Sequence, residues 1–484
     1  MMHSYLFALI WAALAFILYR LVSNILAKRH HAAEAQRLGC KPATKQENML
    51  PFGIDRIRNA MKADQNKSFP DFVIQRFEEV GADTFQFNIL GDQGYFTADP
   101  KNIQAVLATQ FNDYCLGPNR RDSFFPLLGN GIFTSDGKGW EHSRAMIRPS
   151  FVRDQVSDLE LEEHHVQNMM RALQAKQDGW TKEVDLQVLF FRLTLDSATE
   201  FLLGESVNSQ VANLPGEAQL SGAAEPTQDE KVFASAFDAG QRYLAQRARF
   251  VDKWWIYNPP GFRTACKQTH DFADHFVRLA LNHELKEKVL ETGSSKEKYI
   301  FLEALAAQTR DPVELRSQIL HVLLAGRDTT ASLLGWLFYL LVRHPVIFDR
   351  LRSSIIDDFG TYNSSQPITF QKLKSCRYLQ HCLNETLRLY PVVPVNSRRA
   401  TKDTTLPRGG GPDGNSPIFV RKDEQVDYSV HVMHRRKDLW GQDAEEFKPE
   451  RWVGKKVGWE YLPFNGGPRI CLGRKWSSLP ARNW

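Results

Sequence analysis

The run Phe464-Asn465-Gly466-Gly467-Pro468-Arg469-Ile470-Cys471-Leu472-Gly473 gathers residue types that could hold a metal through a thiolate. A ligating thiolate needs nearby backbone N–H groups or positive charge to lower its pKa. Flanking glycines let the backbone turn sharply and approach a flat cofactor closely. A cation such as Arg469 can pair with a carboxylate on that cofactor, and an apolar cover such as Phe464 keeps water away. The competing reading is plain. A lone cysteine in a large protein is usually a small buried hydrophobe.

The spacing decides between them. Phe-x-x-Gly-x-Arg-x-Cys-x-Gly arises by chance in a chain of this size with a probability on the order of 10⁻⁴ at average residue usage. It resembles the haem-binding signature of the cytochromes P-450. The resemblance implies that Cys471 is the proximal thiolate ligand of haem b (iron protoporphyrin IX), with Phe464 and Arg469 as cofactor contacts.

Three helical stretches must position such a site. Asp311-Pro312-Val313-Glu314 is a helix start, with Asp as N-cap, Pro in the first turn and Glu at the third position. The apolar run from it stops at His344-Pro345. Arg327 and Asp328 sit in its middle, where a lipid-facing charge is costly, so the sequence predicts a buried spine rather than a second membrane span. Within it, Ala325-Gly326-Arg327-Asp328-Thr329-Thr330 places hydroxyls beside a carboxylate, as proton relay through water requires, although a polar kink would read the same way. The hexapeptide resembles the family's oxygen-activation motif, which implies that Asp328 and Thr329 gate proton delivery.

Trp140 and Arg144 are four apart and share one helical face. Alone they read as a surface cation–π contact; they also resemble the family's helix that donates to a haem propionate. Glu385-Thr386-Leu387-Arg388 with Pro449-Glu450-Arg451-Trp452 resembles the structural brace of the family, and these residues are assigned to stability. The strand expected at Val392–Arg398 offers Arg398 as a second propionate partner, with Arg399 leaving the choice open. Arg408-Gly409-Gly410-Gly411-Pro412-Asp413-Gly414 lacks the Gly-Lys-Ser/Thr of a phosphate loop and reads as a turn between strands.

The chain has 484 residues, 43% hydrophobic and 24% charged, enough to bury a large core. A net charge of +5 is too weak to argue for nucleic acid but suits an acidic protein partner or an anionic membrane. Six scattered cysteines with no C-x-x-C pair indicate a reducing compartment. Ser4 to Leu26 is almost continuously apolar; roughly 23 helical residues span ~35 Å, enough to cross a bilayer. A cleaved signal peptide fits worse, because no basic n-region precedes the stretch. Lys28 and Arg29 follow it, so the positive-inside rule places the remainder in the cytosol. The aromatic stripe within Ala234–Tyr257 reads as core packing, or as a lid over a substrate pocket if the family pattern holds. Glu205–Glu230 reads as a loop.

The expectation is a mainly α fold with small β-sheets, the cytochrome P-450 fold of an α-rich and a smaller β-rich half around a buried haem. It divides into an anchor (1–27), a linker (28–51), a catalytic domain (52–473) and an atypical terminus (474–484). The runs Ala325–Thr330, Leu406–Gly411, Asp122–Gly129 and Phe52–Ile57 are especially similar to the fungal alkane and fatty-acid hydroxylase branch. This implies hydroxylation of a lipophilic aliphatic chain by molecular oxygen at the endoplasmic reticulum membrane. Electrons would come from an NADPH-dependent flavoprotein reductase, with Arg469, Arg474, Lys475, Lys455 and Lys456 as a docking face. The sequence departs from the family after Gly473: Pro480 falls where a helix under the haem is expected and would break it at a cost of roughly 3 kcal/mol. The alternative implied by that departure is an inactive haem-binding or haemless remnant.

Overall fold

The computed structural model describes residues 2–151, 159–173, 179–211, 228–287, 299–361, 364–365 and 367–475. Pro480 and most of the expected loop at 205–230 lie outside them. The helices used below are α1 (Met2–Arg37), α2 (Pro118–Leu128), α3 (Gly137–Ile147), α4 (Leu186–Leu203), α5 (Gln228–Ala248), α6 (Pro312–Arg343) and α7 (Arg377–Leu389), of which α2 to α7 belong to the body that holds the site. The strands used below are β1 (Thr44–Lys45), β2 (Thr84–Ile89), β3 (Asp92–Thr97), β4 (Tyr114–Cys115), β5 (Val395–Ala400), β6 (Thr404–Gly410), β7 (Ser416–Val420) and β8 (Gln425–Ser429); Gly360–Thr361 and Ser364–Ser365 form a further short pair.

The expected helix-rich architecture with small sheets is present. One sheet has the order β1-β2-β3-β8-β5-β4, and β6 and β7 form a separate hairpin. Arg408–Gly410 finish β6 and only 411–414 make the turn to β7, so the expected turn is shorter than the run 408–414. Strand β8 runs parallel to β3 and antiparallel to β5, pairing Val426 with Arg398 and Gln425 with Arg399. Phe85, Phe96, Val426 and Leu406 close the core on the sheet side, each almost fully buried.

Helix α6 is the spine. Asp311 accepts from Val313 N at 2.9 Å, the N-cap bond foreseen from sequence. Leu315, Leu323, Leu334, Leu337 and Leu341 are buried against neighbouring helices, each stabilising by about 1.5–3 kcal/mol. The mid-helix charge has protein partners: Arg327 is buried, pairs with Asp238 on α5, and lies 5.2 Å from the Phe191 ring centroid on α4. The helix runs unbroken through Ala325–Thr330, so the polar hexapeptide does not interrupt it.

Helix α1 stands away from this body. Ile10–Arg37 is long and apolar enough to cross a membrane, and its most apolar part is not buried. The helix runs on to Arg37, and Thr44–Lys45 pairs in parallel with β2, so much of the stretch expected as linker is built into elements.

Candidate active site

Cys471 sits at the end of a loop whose course is fixed by backbone constraints. Its N–H donates to the Phe464 carbonyl at 3.0 Å, closing the loop on itself. Gly467 has φ +66°, and a Cβ there would lie 1.8 Å from the Leu107 carbonyl oxygen, so only glycine fits. Gly473 is different. A Cβ there would meet only ordinary contacts, the nearest at 3.8 Å.

The loop faces a cavity that also presents Trp140 and Arg144 from α3, Thr329 from α6, Arg398 from β5, and Phe464 and Arg469. Seven of the eight residues singled out in the sequence therefore meet around one space. The eighth, Asp328, lies beside it and turns its carboxylate to Arg327 at 3.2 Å. Cys471 is exposed to this cavity while lying deep in the fold. Burial pushes its thiol up, opposed by the N–H of Gly473, then by the Arg144 and Arg474 guanidiniums. A metal cation at the sulfur would override burial and hold the thiolate form.

The α3 segment is bound directly to the cysteine loop. Arg144 Nη1 donates to the Ile470 carbonyl at 3.1 Å. Arg469 Nη2 donates to Asp136 Oδ1 at 2.7 Å, and its guanidinium lies 4.5 Å from the Trp140 ring centroid. Asp136 in turn accepts from the Leu116 and Gly117 N–H groups. Arg469 is thus turned inward. Its place in the expected docking face is corrected; Lys455 is partly exposed and lies 4.6 Å from the Trp440 ring centroid. Arg474 and Lys456 are exposed.

Strand alternation resolves the choice between the two arginines of β5. Arg398 faces the cavity, whereas Arg399 points the other way and pairs with Asp252 through two bonds of 2.7 Å. Behind the cavity, Arg388 donates to Glu385 at 2.8 and 2.9 Å, and Arg451 Nε reaches the same carboxylate at 3.2 Å. This is the foreseen brace. Sequence reasoning missed its link to the loop: fully buried His434 bonds the Arg388 carbonyl through Nδ1 at 3.2 Å and accepts from Leu462 N through Nε2 at 2.9 Å. Those partners assign the proton to Nδ1. Burial first, then Arg388, pushes the imidazole down to about 3.

In the hexapeptide, Thr329 Oγ1 donates to the Ala325 carbonyl at 2.6 Å. Burial holds Asp328 up at about 6 against the pull of Arg327. Nearby His321 is pushed by burial down to about 4, so it is neutral.

The donor set fits haem. Among the described residues, no group of three His, Cys, Asp or Glu is gathered to hold a metal, so Cys471 is a lone thiol, an arrangement that suits a metal already held by an organic ring. The cavity lining carries no Asp or Glu. Among the described residues, Arg144 and Arg398 form no ion pair with a protein carboxylate, which leaves cations for the two acid groups of such a ring.

Comparison with known proteins agrees. The family model for cytochrome P450 matches residues 51–479. The chain is 58% identical to "cytochrome P450 monooxygenase g430" of Fusarium sp over 98% of this chain and 83% of that protein. It is 45% identical to "cytochrome P450 monooxygenase alt2" of Alternaria solani over 98% and 89%. It is 46% identical to "cytochrome P450 52A12" of Debaryomyces hansenii over 92% and 85%.

Proposed function

The chain belongs to the cytochrome P450 family, and from that premise we propose that it hydroxylates long-chain fatty acids or n-alkanes, at or near the terminal carbon. Family membership makes it a monooxygenase that uses haem b, molecular oxygen and a redox partner. The NADPH-dependent flavoprotein reductase and the endoplasmic reticulum membrane are part of the proposal. So are the division into an anchor, a short connecting stretch and a catalytic domain, and the roles of the site residues. The apolar helix α1 supports a single-span anchor.

The observation that carries the substrate class is the cavity. Val322, Ala325, Leu333, Leu387, Val392 and Val393 make apolar walls around Cys471. Such walls bind an aliphatic chain by excluding water, about 0.8 kcal/mol per buried CH₂. Haem bound there supplies oxygen activation and oxygen-atom transfer, the chemistry of this family. Cys471 holds it through sulfur, Phe464 covers the sulfur from water, and Arg144, Arg398 and Arg469 take its acid groups. Trp140 is packed against two of these guanidiniums and fixes their direction. Thr329 holds a proton at Oγ1, and Asp328, with its raised pKa, can resupply it through water. The remnant alternative is not favoured, because the family match runs to residue 479 and two of the matched relatives are named as monooxygenases.

The test is purification with the reductase in lipid vesicles. The reduced protein with carbon monoxide should show the red-shifted Soret band of a thiolate-ligated haem, and Cys471→Ser should abolish it. Incubation with a long-chain fatty acid and an n-alkane should yield alcohols. A protein that shows the band but gives no aliphatic alcohol refutes the substrate class.

A further inference from the structure

One fully buried histidine has no role in the reading above. His321 sits on α6 one turn before Ala325, with its side chain closed off from solvent. Its Nδ1 accepts from Phe133 N at 3.3 Å, and its Nε2 lies 3.5 Å from Thr134 Oγ1. A backbone N–H can only donate, so the one proton of the neutral ring belongs on Nε2.

Both partners lie in the segment 129–136, which joins α2 to α3. Glycine sets its course over the imidazole. At Gly131 a Cβ would lie 2.3 Å from His321 Cδ2, and at Gly129 it would lie 2.2 Å from Ser317 Oγ, also on α6. Thr134 ties the segment to itself: its Oγ1 donates to the Gly129 carbonyl at 2.8 Å and accepts from Gly131 N at 3.0 Å. The segment is thus locked internally and fastened to α6 at one ring.

Its other side serves the site. Ile132 and Phe133 line the cavity, and the Phe133 ring lies 5.4 Å from the imidazole, centroid to centroid. The Ile132 and Ser135 carbonyls accept from Arg469 at 3.4 and 3.0 Å. In a close-packed interior a displaced segment carries its neighbours with it, so the wall and this guanidinium move together.

We propose that His321 is a positioning residue for substrate selection: it sets how far the Ile132–Phe133 wall reaches into the cavity, and with it which carbon of a long aliphatic chain is oxidised. The choice of carbon rests on the substrate class proposed above. The placing of the wall does not.

The experiment compares full-length, haem-loaded wild type with H321L, H321N, G131A, H321A and H321A/G131A. Asparagine can accept from Phe133 N as Nδ1 does, whereas leucine fills the space without an acceptor. G131A drives the segment off the ring and leaves α6 unaltered. Two readouts are taken. One is the affinity ratio of N-dodecylimidazole to imidazole, nitrogen ligands of ferric haem that differ only in an alkyl chain, so the ratio reports the cavity wall whatever the natural substrate. The other is the ratio of terminal to in-chain alcohols formed from a long-chain fatty acid.

H321L and G131A should each change the affinity ratio on the order of tenfold and shift the alcohol ratio, while imidazole itself binds as in wild type. H321N should restore most of both. With the ring removed there is room for the added methyl, so H321A/G131A should match H321A rather than sum the two changes. Wild-type ratios in H321L and G131A, with only a lower thermal midpoint, would make the imidazole a packing residue and overturn the proposal, as would an additive cycle. G131A carries the test should H321L not fold. If the wild type forms no alcohol from a fatty acid or an n-alkane, the substrate class fails, and the alkylimidazole ratio still decides on His321.

Discussion

Thr329 and Asp328 are adjacent in sequence yet lie in different surroundings. The hydroxyl lines the cavity and is tied to Ala325, whereas the carboxylate faces Arg327 and the side of α5. Thr329→Ala removes the hydroxyl without touching the thiolate loop. It should leave the carbon monoxide band in place and divert reducing equivalents to peroxide, measured as product formed per NADPH oxidised; unchanged coupling would count against a proton role. Asp328, raised to about 6 by burial, is ionised above that pH and neutral below it. Coupling should therefore fall as pH rises through about 6, where the group that resupplies the proton loses its own, and Asp328→Asn should flatten the profile. Cys471 was legible at this scale because its neighbours are contiguous in sequence. The orientation of Arg399 was not, since its partner Asp252 is 147 positions away and no local spacing marks the pair.

The elements were largely readable because their signals are local. Helix α6 begins at its Asp cap and ends before the foreseen His344-Pro345. What sequence could not show is how α7 and the cysteine loop are joined, because one imidazole does it from a third segment. His434 must stay neutral to accept from Leu462. Its folded pKa is depressed to about 3 from an ordinary 6.5, so the unfolded chain binds the extra proton and stability is lost as pH falls below about 6.5. The slope contributed by this one group is up to about 1.4 kcal/mol per pH unit. Thermal midpoints measured between pH 7 and 5 should fall for the wild type and fall less steeply for His434→Gln. Equal slopes would sink the role assigned to the imidazole.

At the scale of the molecule, a body of helices and sheets carries one apolar helix on its outside. Trp11, Phe16, Leu18 and Tyr19 of α1 are exposed, while His31 further along touches the body near Asp403 at 3.6 Å. A protein beginning at residue 28 should leave the membrane fraction yet keep the carbon monoxide band, and loss of the band would show that α1 supports the fold. The apolar helix was legible from composition alone, whereas its continuation to Arg37 and contact with the hairpin side depend on packing between distant segments. The same long reach governs the thiolate loop. Arg144 meets Ile470 across 326 positions, and Arg469 meets Asp136 across 333. A ribosome must therefore deliver the chain as far as Cys471 before the sulfur finds its surroundings. Porphyrin capture then follows synthesis of that whole span, and cells starved of it would hold chains with an open interior, ready substrates for quality-control proteases.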